Sequence, residues 1–468
     1  MRKEYLETLL AQIQEKRARA SVLQEVESHI DDQKQAYLSE GMLEELAEEK
    51  AVADMGDPIE TGIALNQIHR PKPAWGMLAA IAVLCIVGIL LQYTAGQLYN
   101  QSEQNYFGQQ CLFTVIGLCA LYFVYLMDYT RIAKYGRWIC AGILLFIFVG
   151  THSGIFFTSA RHYTLQIPGF EYYSLSLEMI LYLYVPLYGA VLYSYRKACR
   201  SSLWKVLLYT LLPIYFAYQY ASAAQVFNLA IILPVMFCVG ALNGWYGILP
   251  SATLQNFHCS VAAKIHLSKN TKKTTGSLAA VLLSVLCILV VYLECFAPAY
   301  QKMRIQAWLN PTAWNSSISS ISNLIRNILS DSQFVGKTIN QTVNQGELNF
   351  SADFILTYLF GQFGILAAIA LVILVAVLSI KLLQISLHQK NKLGMIISLG
   401  CSLIFVIQSV EYILVNLGML PPSGLYFPLI SYGGNGMLQT CLLLGLLLST
   451  YRYQNVVQEA PTMYTDGQ

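Results

Sequence analysis

Charge is what this sequence has least of. Of its 468 residues only 12% are Asp, Glu, Lys or Arg, against 56% hydrophobic, and the mean hydropathy is +0.49. So little charge excludes a large water-soluble protein and points to a polytopic membrane protein. CxxC pairs are missing too. The eleven cysteines, among them Cys85, Cys111, Cys140, Cys238, Cys287, Cys401 and Cys441, are scattered mostly through apolar runs, with none in the segments expected to face outward. That excludes a disulfide framework or a metal site and leaves them as small lipid- or core-facing residues. The first seventy or so residues are polar and charged, so there is no signal peptide, and this segment is expected to stay in the cytoplasm. Nothing in the net charge of +3 calls for a nucleic-acid partner.

What is present divides the chain. Residues 1–73 read as a separate acidic soluble unit, a small bundle of three or four helices. Leu6, Leu9, Leu10 and Ile13, then Val22, Val26 and Ile30, recur at helical spacing, and Gly56-Asp57-Pro58 ends one helix and starts the next. Through its YLSEG, MGDP and HRPKP stretches this unit resembles the short helical prefix found ahead of some Gram-positive membrane proteins. Regulation or partner binding is its expected role. His29 and His69 stand at no metal-ligand spacing.

Residues 74–455 then carry ten apolar runs long enough to be membrane spans: about 75–95, 108–127, 138–152, 178–195, 206–221, 225–245, 277–298, 354–380, 394–417 and 434–451. Residues 456–468 form a tail. The connections at 128–137, 196–205, 246–276 and 381–393 hold Lys and Arg, whereas 96–107 and 418–433 hold neither. By the positive-inside rule both termini are cytoplasmic. The expected fold class is therefore all-α, ten transmembrane helices with a small helical head.

The outward segments gather the chemistry. One, 153–177, carries Arg161 and leads to Glu178. A larger one, 299–352, carries Arg304 and Lys337, and its Ile318, Ile321, Ile325 and Ile328 lie on one side of a helix suited to the membrane surface. It ends in Asn349-Phe350-Ser351-Ala352-Asp353-Phe354, which sets a carboxylate at the mouth of the span 354–380, with Ser351 or Asp353 able to cap that helix. A carboxylate there can take a proton from an attacking hydroxyl or hold a divalent ion, and Arg or Lys can hold a diphosphate. It can equally serve only to complement the helix dipole. The third segment, PPSGLYFPLISYGGNG, is irregular backbone, tolerated at membrane depth only when buried in protein or lining a cavity. Within the spans Glu411 stands out, read as an internally hydrogen-bonded carboxyl rather than a proton relay.

With Asn416 ahead of it, the pattern Pro421, Gly424, Pro428, Ser431, Tyr432, Gly433, Gly434 resembles the signature of the SEDS family, the RodA/FtsW/SpoVE-type proteins. Tyr300-Gln301-x-x-Arg304, Leu309-Asn310-Pro311, Phe334-Val335-Gly336-Lys337, Asp353-Phe354 and Gly364 match its outer-loop pattern, and the resemblance as a whole covers roughly 75–452. The resemblance implies a peptidoglycan glycosyltransferase that polymerises lipid II on the outer face of the plasma membrane, in elongation, division or sporulation. Asp353 would be catalytic, and Arg161, Glu178, Arg304, Lys337, Asn416, Ser431, Tyr432, Gly433 and Gly434 would bind substrate. It also implies a class B penicillin-binding transpeptidase as partner, other divisome, elongasome or sporulation proteins meeting residues 1–73, and a divalent cation (Mg or Mn) as the one cofactor to consider. Departures from the family pattern are Ser174-Leu175-Ser176-Leu177-Glu178 for Gln-Pro-Ser-Glu, Gly361-Gln362 for Glu-Glu, and Ser351 for the His before the acid. They leave a second reading open, a non-catalytic scaffold or a transporter of lipid-linked precursor.

Overall fold

The computed structural model describes residues 1–97, 106–153, 156–159, 162–167, 170–196, 203–243, 245, 299–310, 317–337 and 349–456. The run 277–298, the basic connection 246–276 and Arg161 lie outside them.

The head is four helices: α1 (Arg2–Ala11), α2 (Lys16–Ser39), α3 (Glu44–Asp54) and α4 (Pro58–Ile68). Leu9, Ile13, Ala18, Val22 and Ile30, all fully buried, are the apolar positions that the helical spacing picks out. Asp57 starts α4 by accepting the Ile59 amide at 3.0 Å, with Pro58 in the first turn where its missing N–H costs nothing. Lys34 of α2 meets Glu44 and Glu48 of α3 at 3.0 and 2.9 Å, and Arg2 meets Asp31 at 2.7 Å.

Beyond the head the apolar runs become α5 (Trp75–Gly96), α6 (Tyr106–Leu126), α7 (Tyr129–Lys134), α8 (Gly136–His152), α9 (Leu177–Ser194), α10 (Leu203–Tyr220) and α11 (Ala223–Leu242). After them come α12 (Ala299–Leu309), α13 (Ser317–Asp331), α14 (Ile355–Phe363), α15 (Ile365–Leu387), α16 (Lys392–Asn416) and α17 (Gly434–Arg452). Among the described residues six helices are long and apolar enough to cross a membrane: α5, α6, α9, α11, α15 and α16. The chain is thus a multi-pass membrane protein.

Contacts sort the element ends into two sides. Lys72 donates to the Arg452 carbonyl at 3.0 Å, Tyr453 to that of Leu126 at 3.1 Å and Ser449 to that of Met127 at 2.5 Å, so the head sits where α5 begins and α6 and α17 finish. Asn435 donates to Ser174 at 2.8 Å and Trp308 to Gly418 at 2.9 Å, which groups α12, the start of α17 and the end of α16 at the other side.

Two expectations change here. The segment 153–177 is not a plain loop but an antiparallel meander of β1 (Phe156–Ser159), β2 (His162–Ile167) and β3 (Phe170–Ser176), so the fold is helical with a small sheet rather than all-α. The alternation in HYTLQI and FEYYSLS carries that signal. The run 354–380 is not one span. Gly364, at φ +93°, breaks it into α14 and α15. The 23 residues of α15 rise about 35 Å by themselves, enough to cross about 30 Å of hydrocarbon. The short α14, with Asp353 just before it, is therefore left at the side away from the head.

Candidate functional site

Asp353 belongs to a turn whose backbone is held from four directions. Within it, the Asn349 carbonyl accepts the amides of Asp353 and Phe354, both at 3.1 Å. The Ser351 carbonyl accepts Gln92 Nε2 of α5 at 2.7 Å and the Tyr432 amide at 2.9 Å. The Ala352 carbonyl accepts Ser431 Oγ at 2.6 Å and the Tyr412 hydroxyl at 3.2 Å. The Asp353 carbonyl accepts Asn416 Nδ2 at 3.1 Å. Neither Ser351 nor Asp353 caps α14, contrary to expectation; Phe354 holds that position without a side-chain bond, and the Ile355 amide donates instead to Tyr412 Oη at 2.9 Å. Each such bond contributes about 1 kcal/mol net, and together they fix the turn before any ligand arrives.

The Asp353 side chain is half-buried and faces Gly424, where a Cβ would stand 3.6 Å from Oδ1. The segment carrying Gly424 is non-helical yet buried, with Phe427, Leu429, Ile430 and Ser431 fully enclosed. Its backbone is tight. Leu429 is at φ +67°, a conformation that costs a side-chain-bearing residue about 1 kcal/mol or more. Gly88 of α5 allows the close approach, since a Cβ there would meet the Leu429 carbonyl at 2.7 Å. The Phe427 ring stacks on Tyr412 with centroids 4.5 Å apart, and Phe427 N donates to Ser431 Oγ at 3.1 Å. Tyr432 donates to Gln109 Oε1 of α6.

The expected site residues separate into groups. Asp353, Asn416, Ser431 and Tyr432 come together, with Gly433 and Gly434 leading from them into α17. Asn416 and Ser431 were expected to bind substrate; both are fully buried and engaged within the protein, so they offer a substrate no surface and act as supports of the Asp353 turn. Asn416 Oδ1 also accepts Thr357 N at 3.0 Å and Thr357 Oγ1 at 2.9 Å. Lys337 is exposed and sits by the far end of α14, because the neighbouring Gly336 amide donates to Phe363 at 3.3 Å. Arg304 is on α12, which Trp308 fastens to Gly418. Glu178 starts α9 and accepts the Ser222 amide at 3.1 Å, joining α9 to α11 rather than to Asp353. Glu411 accepts Asn228 Nδ2 at 2.9 Å, and the same amide donates to Tyr182 at 2.9 Å. The internally bonded reading of Glu411 thus agrees with its surroundings.

Gln92, Tyr412 and Thr357 were missed. Gln92 had a signal, as an amide inside an otherwise apolar span is uncommon without a partner.

Comparison with known proteins bears on this geometry. The family model for the FtsW/RodA/SpoVE group, described as a cell cycle protein, matches residues 256–456. A Geobacter metallireducens protein named "Probable peptidoglycan glycosyltransferase FtsW" is 23% identical over 386 residues, 80% of this chain and 92% of its own length. Over residues 256–456 the chain is thus similar to the SEDS family. A Mesostigma viride protein carrying the FtsW name is 30% identical over 154 residues, and this match covers 32% of the chain but only 36% of that relative. Among solved structures, one titled as the structural coordination of polymerization and crosslinking by a peptidoglycan synthase complex has a similar fold, with a TM-score of 0.60. It is 17% identical and covers 81% of this chain and 98% of its own. Thermus thermophilus RodA matches with a TM-score of 0.53 at 14% identity, over 81% of this chain and 96% of its own.

Proposed function

We propose that this chain is a SEDS-type peptidoglycan glycosyltransferase polymerising lipid II, with Asp353 as the group that receives the proton of the acceptor sugar's hydroxyl. That oxygen attacks the donor's anomeric carbon, and the bond to the undecaprenyl diphosphate breaks, its electron pair leaving with the diphosphate. The cationic side chain of Arg304, on α12, neutralises the leaving group, with Arg161 as the second candidate that the motif resemblance gives. The observation that carries the reading is the half-buried Asp353 carboxylate on a turn whose Ser351, Ala352 and Asp353 carbonyls are all tied down, in a chain similar to this family. A carboxylate positioned in advance loses nothing to reorganisation during the reaction.

Among the described residues no group of three or more His, Cys, Asp or Glu could hold a metal ion. A divalent cation at Asp353 would have that one carboxylate, with the remaining positions left to diphosphate oxygens and water, as suits Mg. It would supply charge neutralisation at the leaving oxygens.

In this reading the membrane domain covers 74–455 in ten spans. Both termini and the head, 1–73, are cytoplasmic, and Asp353 faces outward. A class B penicillin-binding transpeptidase is the expected partner, as polymerised strands need crosslinking. The decisive experiment is a lipid II polymerisation assay on the purified chain, with and without such a partner and divalent cation. Wild type is expected to form glycan strands and Asp353→Asn none, with the variant's unfolding temperature unchanged; normal polymerisation by the Asn variant removes Asp353 from the mechanism. Gly361-Gln362, standing where the family has two glutamates, favours a second reading. A wild type that binds the transpeptidase but never polymerises would make the chain a scaffold.

A further inference from the structure

A groove of about 920 Å³ opens at the end of the bundle away from Asp353, between the start of α5, the second half of α15 and the end of α17. Its deep part is apolar, lined by Met77 and Leu84 of α5 and Leu374 and Leu378 of α15. Along α15 the same stripe turns polar toward the head: Lys381, Gln384 and His388 follow at helical spacing, all exposed. From Leu374 to His388 the helix rises about 21 Å, slightly more than one hydrocarbon leaflet of about 15 Å. Trp75, 71% exposed, stands at the polar end, where an aromatic residue anchors at headgroup level. Among the described residues no Asp or Glu lines the groove.

An acyl-chain-sized apolar slot, ending in the Lys381 cation with His388 beside it at headgroup depth, has the chemistry of a lipid site with one sign of charge. A choline or ethanolamine headgroup would bring an ammonium for which the described lining has no carboxylate. We propose that this groove binds an anionic glycerophospholipid of the head-side leaflet, its acyl chains against Met77, Leu84, Leu374 and Leu378 and its phosphate against Lys381 and His388. Bound there, the lipid bridges α5 and α15. Those helices carry Gln92, which holds the Asp353 turn, and the segment that follows Gly364. The site does not depend on the polymerase reading.

The test is native mass spectrometry of the delipidated full-length chain titrated with phosphatidylglycerol or phosphatidylcholine of matched acyl chains. Wild type is expected to retain one phosphatidylglycerol in clear preference to phosphatidylcholine. Lys381→Gln should weaken phosphatidylglycerol binding about fivefold, the worth of one cation at the membrane surface, and leave phosphatidylcholine unchanged. Lys390→Gln, exposed nearby but outside the groove, should change neither. Ala80→Trp fills the slot and should abolish retention of both lipids. Equal retention of the two lipids by wild type, or equal effects of Lys381→Gln and Lys390→Gln, overturns the proposal. So does undiminished binding to a folded Ala80→Trp, which would mean that the lipid sits elsewhere and another segment of the chain fills the groove.

Discussion

Asn416 shows how much of the site consists of support. Its amide accepts two bonds from Thr357 and donates to the Asp353 and Tyr412 carbonyls at 3.1 and 3.0 Å, with no exposed surface. Asn416→Ala strands the Thr357 amide in the interior, while the Thr357 hydroxyl keeps the Asn416 backbone carbonyl at 3.2 Å, and we expect a loss of about 1–3 kcal/mol in stability. Strand formation measured well below the unfolding temperature should also fall, because the Asp353 turn loses one of its clamps; unchanged rate and unfolding temperature would refute the supporting role. Gly424 is the complementary case. A single methyl there makes ordinary contact with the Asp353 carboxylate, so Gly424→Ala should fold and work, while Gly424→Leu should fold but lose polymerisation by about tenfold or more through misplacement of the acceptor. Asp353 itself was legible in the sequence, as a carboxylate between a polar loop and an apolar run. The division of labour around it was not. An Asn or Ser in a motif looks the same whether it faces a ligand or a backbone carbonyl, and only the fold distinguishes the two.

At the scale of elements, hydrophobic runs told most of the story because lipid demands length and apolarity above all. The boundaries of α5, α9 and α16 lie within a few residues of the expected spans. The amphipathic helix at Ile318–Ile328 was equally plain and became α13, with Ile325 and Ile328 buried. Apolarity says nothing about continuity, so the break at Gly364 was invisible. Its amino-acid type permits φ +93° but does not announce it. The carbonyls of Gln333 and Phe334 pass within 2.8 and 2.9 Å of where a Cβ would be, closing the connection from α13 over the junction. Gly364→Ala therefore combines a disfavoured dihedral with a clash against backbone. We expect it to destabilise the chain by about 2 kcal/mol or more and to lower polymerisation by shifting α14, with both read from thermal unfolding and turnover of the same preparation. An Ala variant as stable as wild type would show that α14 and α15 can straighten into one span.

For the whole molecule the question is how the head is joined to the bundle, a relation that sequence periodicity cannot express because it lies between distant segments. Inside the head, Arg2 holds the Asp31 carboxyl, and Lys34 the Glu48 carboxyl, below their ordinary values of 3.8 and 4.5. Carboxylates so lowered contribute stability in full above those ordinary values and lose it as pH falls through the lowered ones. Hydrogen exchange in α2 and α3, corrected for intrinsic rate, should therefore rise below about pH 4 and be flat from pH 6 to 8. The junction is a different structure. Arg17 reaches Asp128 at 3.2 Å and lies 5.3 Å from the Tyr453 ring, while His69 Nδ1 meets the Asn455 carbonyl at 3.1 Å. Asp128 is 8% exposed and also caps α7 through Thr130 N at 2.9 Å, so one carboxylate serves both the bundle and its attachment to the head. Asp128→Asn keeps a good cap and deletes the charge, which separates the two tasks. Arg17→Ala and Asp128→Asn should each raise exchange in α1–α4 without moving that of α9 or α16. The double variant should add little to either, a coupling of about 1 kcal/mol for a partly buried pair. Strictly additive effects would mean that Arg17 is held by the Tyr453 ring alone and the ion pair is incidental.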